Sequence, residues 1–300
     1  MPNWNEVKKE IQLPKESPLD QVRKKYLKQL FNLRQRNIIT YYSGFLQKQG
    51  NFPLGIYDGD INALMNAVKG LDFSKGLDLI LHTPGGQVAA TEVFVDYLHK
   101  IFGDNIDCFV PQLAMSGGTM IACSCRKIYM GKQSSIGPID PQFGSIAAHG
   151  VIEEYEFAKE EIKKSPSSIP LWQTIYGKIN PAFIVECHHA LKLSEELVTN
   201  WLKQWMFKDD AHADRIVKEI VKELNDHSAT KSHGRHISAS KAKAMGLKIT
   251  DLEDDNELQD IVLTVHHAYM ETFNQTHAIK IVENHDDAAY FTNINISQGK

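Results

Sequence analysis

The chain has little that would indicate a secreted, disulfide-linked or membrane-spanning protein. Its 300 residues include four cysteines, which show neither the density of a disulfide framework nor C-x-x-C metal spacing. The start, MPNWNEVKKE, lacks the basic head and apolar stretch of a secretory signal, and no window reaches about 18 uninterrupted apolar residues. We therefore expect a cytoplasmic protein with reduced thiols and no membrane span.

The chain also lacks a strong charge of either sign. Its net charge is -4, so no long-range field favours a nucleic-acid partner. Hydrophobic residues make up 42% and charged residues 23%, which is close to the average of folded soluble domains. The composition therefore predicts a globular protein that does not bind nucleic acid.

The spacing of apolar residues divides the chain into three parts. From Gln21 to about Gln49 apolar residues recur roughly once per helical turn, which predicts an N-terminal helical arm over residues 1–50. Strand and helix patterns alternate in residues 51–250, the predicted catalytic domain. A helix over Asn256–Phe273 and a tail then make up residues 251–300.

Two glycine-bearing turns follow neighbouring predicted strands. A strand over residues 77–82 ends in TPGG at 83–86, and a second strand, over about 106–111, leads to AMSGG at 114–118. Each turn opens a helix, and a third strand is predicted at 127–130. This succession implies parallel strands joined by right-handed crossovers, so both turns lie at one carboxyl edge of an α/β sheet.

Ser116 is the predicted nucleophile of this edge. It lies where a strand turns into a helix, and the first amides of a helix have no partner within the helix. The positive helix end favours a developing alkoxide. Because glycine lets the backbone approach a substrate closely, the amides of Gly86 and Gly117 are candidate donors to a tetrahedral oxyanion. The pattern predicts acyl-transfer chemistry.

These segments resemble a known family. LDLILHTPGGQVAATEVFVDYL and VPQLAMSGGTMIACSCRKIYMGKQSSIGPIDPQFG are similar to the ClpP/crotonase superfamily, specifically its SppA-like branch of serine dehydrogenase proteinases (SDH). QRNIITYYSGFL upstream, with SHGRHISASKAKAMGLKI and HHAYMETF downstream, extends the similarity over most of the chain. The resemblance implies an α/β fold, a ClpP/crotonase-like spiral of ββα units with an N-terminal helical arm and a helical C-terminal region.

The resemblance also implies a function. It implies a serine peptidase that acts on peptide or protein substrates, assembles into homo-oligomers and needs no cofactor. Ser116 matches the family nucleophile, and Gly86 and Gly117 match the backbone oxyanion donors.

The general base is assigned only through this resemblance. ClpP-like members carry a histidine near the position that Asp140 occupies here, so a Ser-His-Asp triad is not expected. SppA-like members use a lysine well beyond the serine, and Lys159, Lys163 and Lys164 are available. Lys159 is the predicted base, which requires burial or neighbouring charges to lower its pKa. The alternative is that these lysines pair with glutamates on a solvated helix face.

The thirteen histidines offer a second set of candidates. His233-x-x-His236 and His266-His267 could supply a base or a metal site, but no H-E-x-x-H motif occurs and no metal is expected. We keep His233 as a reserve candidate for the base, because its loop could fold over the sheet edge.

Two other functions remain open from the sequence. The first is a crotonase-like acyl-CoA enzyme, in which similar backbone amides hold a thioester enolate. It would need carboxylates in the pocket in place of Ser116. The second is a non-catalytic scaffold that keeps the fold and binds partners.

Overall fold

The computed structural model describes residues 17–144, 146–225 and 234–294. The strands are β1 (Asn37–Ser43), β2 (Leu77–His82), β3 (Ile106–Val110), β4 (Leu113–Ala114), β5 (Ile128–Met130), β6 (Ser135–Ile136), β7 (Gln142–Phe143), β8 (Ile146–Ala147), β9 (Ile237–Ser238), β10 (Ile249–Asp251), β11 (Ala278–Asn284) and β12 (Ala289–Asn293). The helices are α1 (Pro18–Arg34), α2 (Asp60–Val68), α3 (Val88–Phe102), α4 (Gly117–Cys123), α5 (Ala148–Lys164), α6 (Ile169–Tyr176), α7 (Phe183–Trp201), α8 (Ala213–Asn225), α9 (Ala239–Ala244) and α10 (Asn256–Gln275). This mixed architecture confirms the predicted α/β class.

A seven-stranded sheet forms the centre, in the order β10-β5-β3-β2-β1-β11-β12. Five adjacent strands of this sheet are parallel to one another: β10, β5, β3, β2 and β1. Strand β11 runs antiparallel to β1, and β12 runs antiparallel to β11. The smaller sheet β4-β6-β9 lies beside its carboxyl edge, because Thr83, just after β2, pairs with Ala114 of β4. The predicted succession of parallel strands at 77–82, 106–111 and 127–130 is thus confirmed.

Helices cover both faces of the central sheet. Alternate residues of β1 enter different clusters: Ile39 packs in the cluster that includes residues of α2, α3 and α4, and Ile38 packs against α1 and α10. All six residues of β2 are buried, as expected for a parallel strand covered on both sides. Each fully buried aliphatic side chain contributes about 1.5–3 kcal/mol of transfer free energy. The two layers therefore fix the sheet edge that carries the glycine turns.

The predicted N-terminal helix is wrong beyond Arg34. Gln35 adopts a left-handed conformation, φ 54°, and ends α1. The following NIITYYS is a fully buried strand between β2 and β11. The sequence predicts a continuing helix here, because a short run of isoleucine and tyrosine fits both the helical and the strand period.

The C-terminal prediction is confirmed for α10 and wrong after it. The helix occupies Asn256–Gln275, against the predicted Asn256–Phe273. The residues after the helix, predicted as a tail, instead form an antiparallel pair of strands, β11 and β12, and β11 also pairs with β1. Buried Lys280 and Glu283 lie within β11 and concealed its strand pattern in the sequence.

Two expectations from composition can be compared with the described residues. All four cysteines lie within the described residues, where each is buried and free. Within the same residues, no helix is long and apolar enough to cross a lipid bilayer.

Candidate active site

Ser116 has an unusual backbone conformation at the junction of β4 and α4. Its φ of 50° and ψ of -114° lie in a region that residues other than glycine rarely adopt. This conformation costs about 1–3 kcal/mol. The amide of Met120 donates to the Ser116 carbonyl at 3.0 Å, which starts the helix. The Ser116 hydroxyl makes no capping hydrogen bond and lies partly exposed. The hydroxyl is therefore not used to cap its own helix.

The first glycine turn lies directly beside this serine. Two hydrogen bonds of 3.0 Å join the strand ends, from the Thr83 amide to the Leu113 carbonyl and from the Met115 amide to the Thr83 carbonyl. A Cβ added to Gly85, whose φ is 98°, would lie 2.6 Å from the Ser116 Cβ. Glycine is required at this position by both its conformation and the close approach of the serine turn.

The Gly86 amide is held by pairing on the other side of the turn. The Ile56 amide donates to the Gly85 carbonyl at 2.7 Å, and the Gln87 amide donates to the Ile56 carbonyl at 2.9 Å. In this parallel bridge the groups of Gly86 itself point away from Ile56. The Gly86 nitrogen lies 3.4 Å from the place that a Cβ of Gly117 would take.

Two amide hydrogens are therefore available next to the serine. Among the described residues, neither the Gly86 nor the Gly117 amide donates a hydrogen bond. The structure brings Ser116, Gly86 and Gly117 together at one edge of the sheet, and their catalytic roles stay a prediction. Backbone amides beside a nucleophile are the arrangement that stabilises a negatively charged tetrahedral intermediate.

The candidate lysines lie on α5, and two of them, Lys159 and Lys163, pair with glutamates. The Lys159 ammonium is 2.9 and 2.8 Å from the two carboxylate oxygens of Glu156, and Lys163 is 2.7 Å from Glu160. Hydrogen bonding to Glu156 raises the pKa of Lys159, which is opposite to the shift that a general base needs. Within the described residues neither lysine contacts Ser116. The reserve candidate His233 lies outside the described residues.

The buried histidines form a cluster on the α10 face of the sheet. The ring of His82 lies 5.1 Å from that of His266 and 5.6 Å from that of Tyr42. Burial lowers the pKa of His82 to about 3. The nearby Leu113 backbone acts in the opposite direction and raises the pKa of His82 slightly. Neither ring nitrogen of His82 makes a hydrogen bond within the described residues. Among all the residues that the structure describes, no group of three or more His, Cys, Asp or Glu side chains is arranged to hold a metal ion.

The contribution of Ile56 to the site could not be found from the sequence. The segment GIYDGD indicated only a turn, and its pairing with Gly86 joins residues 30 positions apart (86 minus 56). The glycine at position 55 fits this pairing, because a Cβ there would lie 3.0 Å from the Gly85 carbonyl oxygen.

Comparison with known proteins places this geometry in context. The sequence model of a family described as ClpP-like SDH-type serine proteinase matches residues 13–286. An uncharacterized protein of Methanocaldococcus jannaschii is 28% identical over 271 residues, which cover 88% of this chain and 84% of that protein. A second uncharacterized protein of the same organism is 32% identical over 192 residues, or 63% of this chain and 57% of that protein. The family match includes both glycine turns and the segment that pairs with Gly86.

Proposed function

Because this chain belongs to the ClpP-like SDH-type serine proteinase family, we propose that it is a serine peptidase with Ser116 as its nucleophile. The observation that carries this proposal is the closeness of two backbone amides, those of Gly86 and Gly117, to the strained Ser116 turn, since neither amide donates a hydrogen bond to any described residue. The substrates are peptides or proteins, and no cofactor takes part. In the same proposal the strand and helix repeats form a ClpP-like spiral of ββα units, and the protein acts in the cytoplasm.

The proposed reaction passes through an acyl-enzyme. The Ser116 oxygen attacks the carbonyl carbon of a peptide bond while its proton passes to a general base. The carbonyl oxygen becomes negatively charged and accepts hydrogen bonds from Gly86 and Gly117. Breaking the C–N bond releases the amine, which takes the proton from the base. A water molecule then attacks the ester in the same way and frees Ser116. Each oxyanion donor contributes about 10²–10³ in rate.

For the proton transfer we propose Lys159, by similarity to SppA-like enzymes. In the isolated chain the lysine is bound by Glu156, which raises its pKa. Catalysis therefore requires Lys159 to leave Glu156 and enter a less polar environment beside Ser116, where loss of water lowers its pKa.

The helices after the site support a proposed homo-oligomer. Phe157 of α5, Leu171 of α6 and Val185 of α7 are 62, 59 and 52% exposed. Large apolar side chains in such numbers on neighbouring helices are typical of a surface that is covered by a partner. We propose that another copy of this chain covers them. Light scattering then gives a mass above one chain for the native protein and a lower mass for Leu171→Glu.

Fluorophosphonate labelling tests the nucleophile directly. A fluorophosphonate reacts with activated serines, and we expect a single adduct on Ser116, located by peptide mass spectrometry. Ser116→Ala should abolish the adduct. Ser168→Ala is the matched control, because Ser168 is also accessible but binds the Ser165 carbonyl instead of lying beside free amides.

The outcomes separate the proposal from its alternatives. An adduct that persists in Ser116→Ala, or no adduct on the native oligomer, contradicts a Ser116 peptidase. Saturable acyl-CoA binding by such an unlabelled protein would favour the crotonase-like alternative, and its absence would favour the scaffold.

A further inference from the structure

A buried ion pair lies behind the Gly86 turn. Lys280 of β11 and Asp60 at the start of α2 have side chains that are 1 and 4% exposed. The Lys280 ammonium is 2.8 Å from both Asp60 carboxylate oxygens and 2.7 Å from the Gly55 carbonyl oxygen. All three ammonium hydrogens thus have an acceptor.

Asp60 holds the same segment from its other end. Its Oδ2 accepts from the Tyr57 amide at 3.2 Å and from the Tyr41 hydroxyl at 2.6 Å. The Lys280 ammonium also lies 4.3 Å from the centre of the Tyr57 ring. The ion pair therefore fixes Gly55 through its carbonyl and Tyr57 through its amide.

The residue between them, Ile56, is the one that pairs with the glycine turn. Its amide binds the Gly85 carbonyl, and its carbonyl binds the Gln87 amide. A Cβ on Gly86 would lie 2.2 Å from the Ile56 nitrogen, so the two backbones are in close contact. The direction of the Gly86 amide consequently follows the position of Ile56.

We propose that Lys280 and Asp60 are positioning residues for the oxyanion site, holding residues 55–57 so that the Gly86 amide points at the Ser116 oxygen. This inference rests on the proposed function. An apolar pair of the same volume would fill the space and often gives equal or greater stability. It would not bind the Gly55 carbonyl or the Tyr57 amide, which are the groups that fix the direction.

The test compares two buried cations, Lys280 and Arg23, that bind different parts of the chain. Lys280→Met leaves Asp60 without its cation. Arg23→Met is the matched control, because it leaves buried Glu283, also on β11, without the partner that lies 2.8 Å away. Arg23 binds Glu283, Thr272 and Asp20, and none of these belongs to residues 55–57 or 83–87.

The first readout is the reaction of Ser116 with a fluorophosphonate. Because a misplacement of about 1 Å can cost 10²-fold in rate, we expect Lys280→Met to lower the maximal inactivation rate by about tenfold to hundredfold. The probe concentration at half-maximal rate should stay within about threefold of the wild type. Arg23→Met should keep both constants within about threefold, measured at a temperature where both variants are folded.

The second readout is hydrogen exchange, which does not depend on activity. Lys280→Met should raise exchange at the amides of Ile56 and Gln87, whereas Arg23→Met should leave it unchanged relative to the rest of the sheet. If Lys280→Met does not fold, the double variant Lys280→Met with Asp60→Asn removes the uncompensated charge and takes its place.

Equal loss of rate and equal exchange in the Lys280 and Arg23 variants would overturn the inference, since the pair would then only stabilise the fold. If the wild type carries no label on Ser116, the proposed function fails. Hydrogen exchange still decides the inference in that case, because unchanged exchange at the Ile56 and Gln87 amides in Lys280→Met would contradict the positioning itself.

Discussion

The backbone conformation of Ser116 carries a cost in stability at a single residue. Its positive φ places Cβ in a crowded backbone region, and Gly85 must lack a side chain to let the serine turn approach. Strain of this kind persists only where surrounding contacts impose it, and it is concentrated at functional sites. Replacement by glycine should release the strain.

We expect Ser116→Gly to be more stable than Ser116→Ala by about 1 kcal/mol, because both remove the hydroxyl and only glycine relieves the conformation. Glycine is ordinarily the less stable of the two by about 0.5–1 kcal/mol. Urea unfolding measures the difference. Ser165, with φ -141°, provides the control pair and should show the ordinary order. A Ser116→Ala protein that is as stable as Ser116→Gly would show that the turn is unstrained.

The assignment of the base is also decided at single residues. Lys159→Met should lower the rate of Ser116 labelling by at least about 10², because general-base catalysis contributes about 10²–10⁴. Lys163→Met removes the same charge from the same helix and breaks a similar pair with Glu160, so it should change the rate by less than about threefold. Equal rates in both variants would exclude Lys159 as the base.

At the scale of elements, sequence patterns located the parts with local signals. The parallel strands, the glycine turns and α10 follow from short apolar runs and turn residues. The sequence does not predict β1, because it continues the apolar spacing of α1. It does not predict β11 either, because that strand carries Lys280 and Glu283 as buried residues. Their partners, Asp60 and Arg23, are distant in sequence, so no local rule could identify a buried strand there.

The central position of β1 leads to a sharp contrast between two proline substitutions. Thr40 pairs with Ile80 on one side and Glu283 on the other. Because proline cannot donate to a ladder and is not accommodated in a central strand, Thr40→Pro should abolish cooperative unfolding. Gln49→Pro, at an exposed residue outside any strand, should unfold at a temperature close to that of the wild type. A folded Thr40→Pro protein would mean that residues 37–43 are peripheral, as in a helical arm. Thermal circular dichroism distinguishes these results.

At the scale of the whole molecule, the sequence predicted the convergence of the two glycine turns but not what holds it. The turns share one sheet edge by topology alone, so Ser116, Gly86 and Gly117 could be chosen together. The support from Ile56 depends on chain closure over long separations and on buried charges. Such contacts leave no periodic signal in the sequence.

The buried histidine cluster should limit stability in acid. The pKa of His82 is about 6.5 when unfolded and about 3 when folded, because burial disfavours the charged ring. Between these values the unfolded chain binds more protons, so stability falls as the pH drops from about 6.5 to about 3. At pH 5 the loss from His82 alone is about 2 kcal/mol.

His82→Phe should remove most of this loss of stability in acid, because phenylalanine does not titrate. Its ring can take the place of the imidazole beside Tyr42 and Phe45. We expect its free energy of unfolding, measured in urea, to change less between pH 7.5 and pH 5 than that of the wild type. His188→Phe is the control, because it makes the same substitution at an exposed histidine of α7. An unchanged acid loss in His82→Phe would show that His82 is not the responsible group.

The convergence of the Gly86 and Gly117 amides on Ser116 is tested most directly by a crystal structure of the fluorophosphonate adduct. We predict phosphorus bonded to the Ser116 oxygen and one phosphonyl oxygen about 2.7–3.1 Å from both amide nitrogens. A phosphonyl oxygen that points away from these two amides, or an adduct on another residue, would contradict the proposed site.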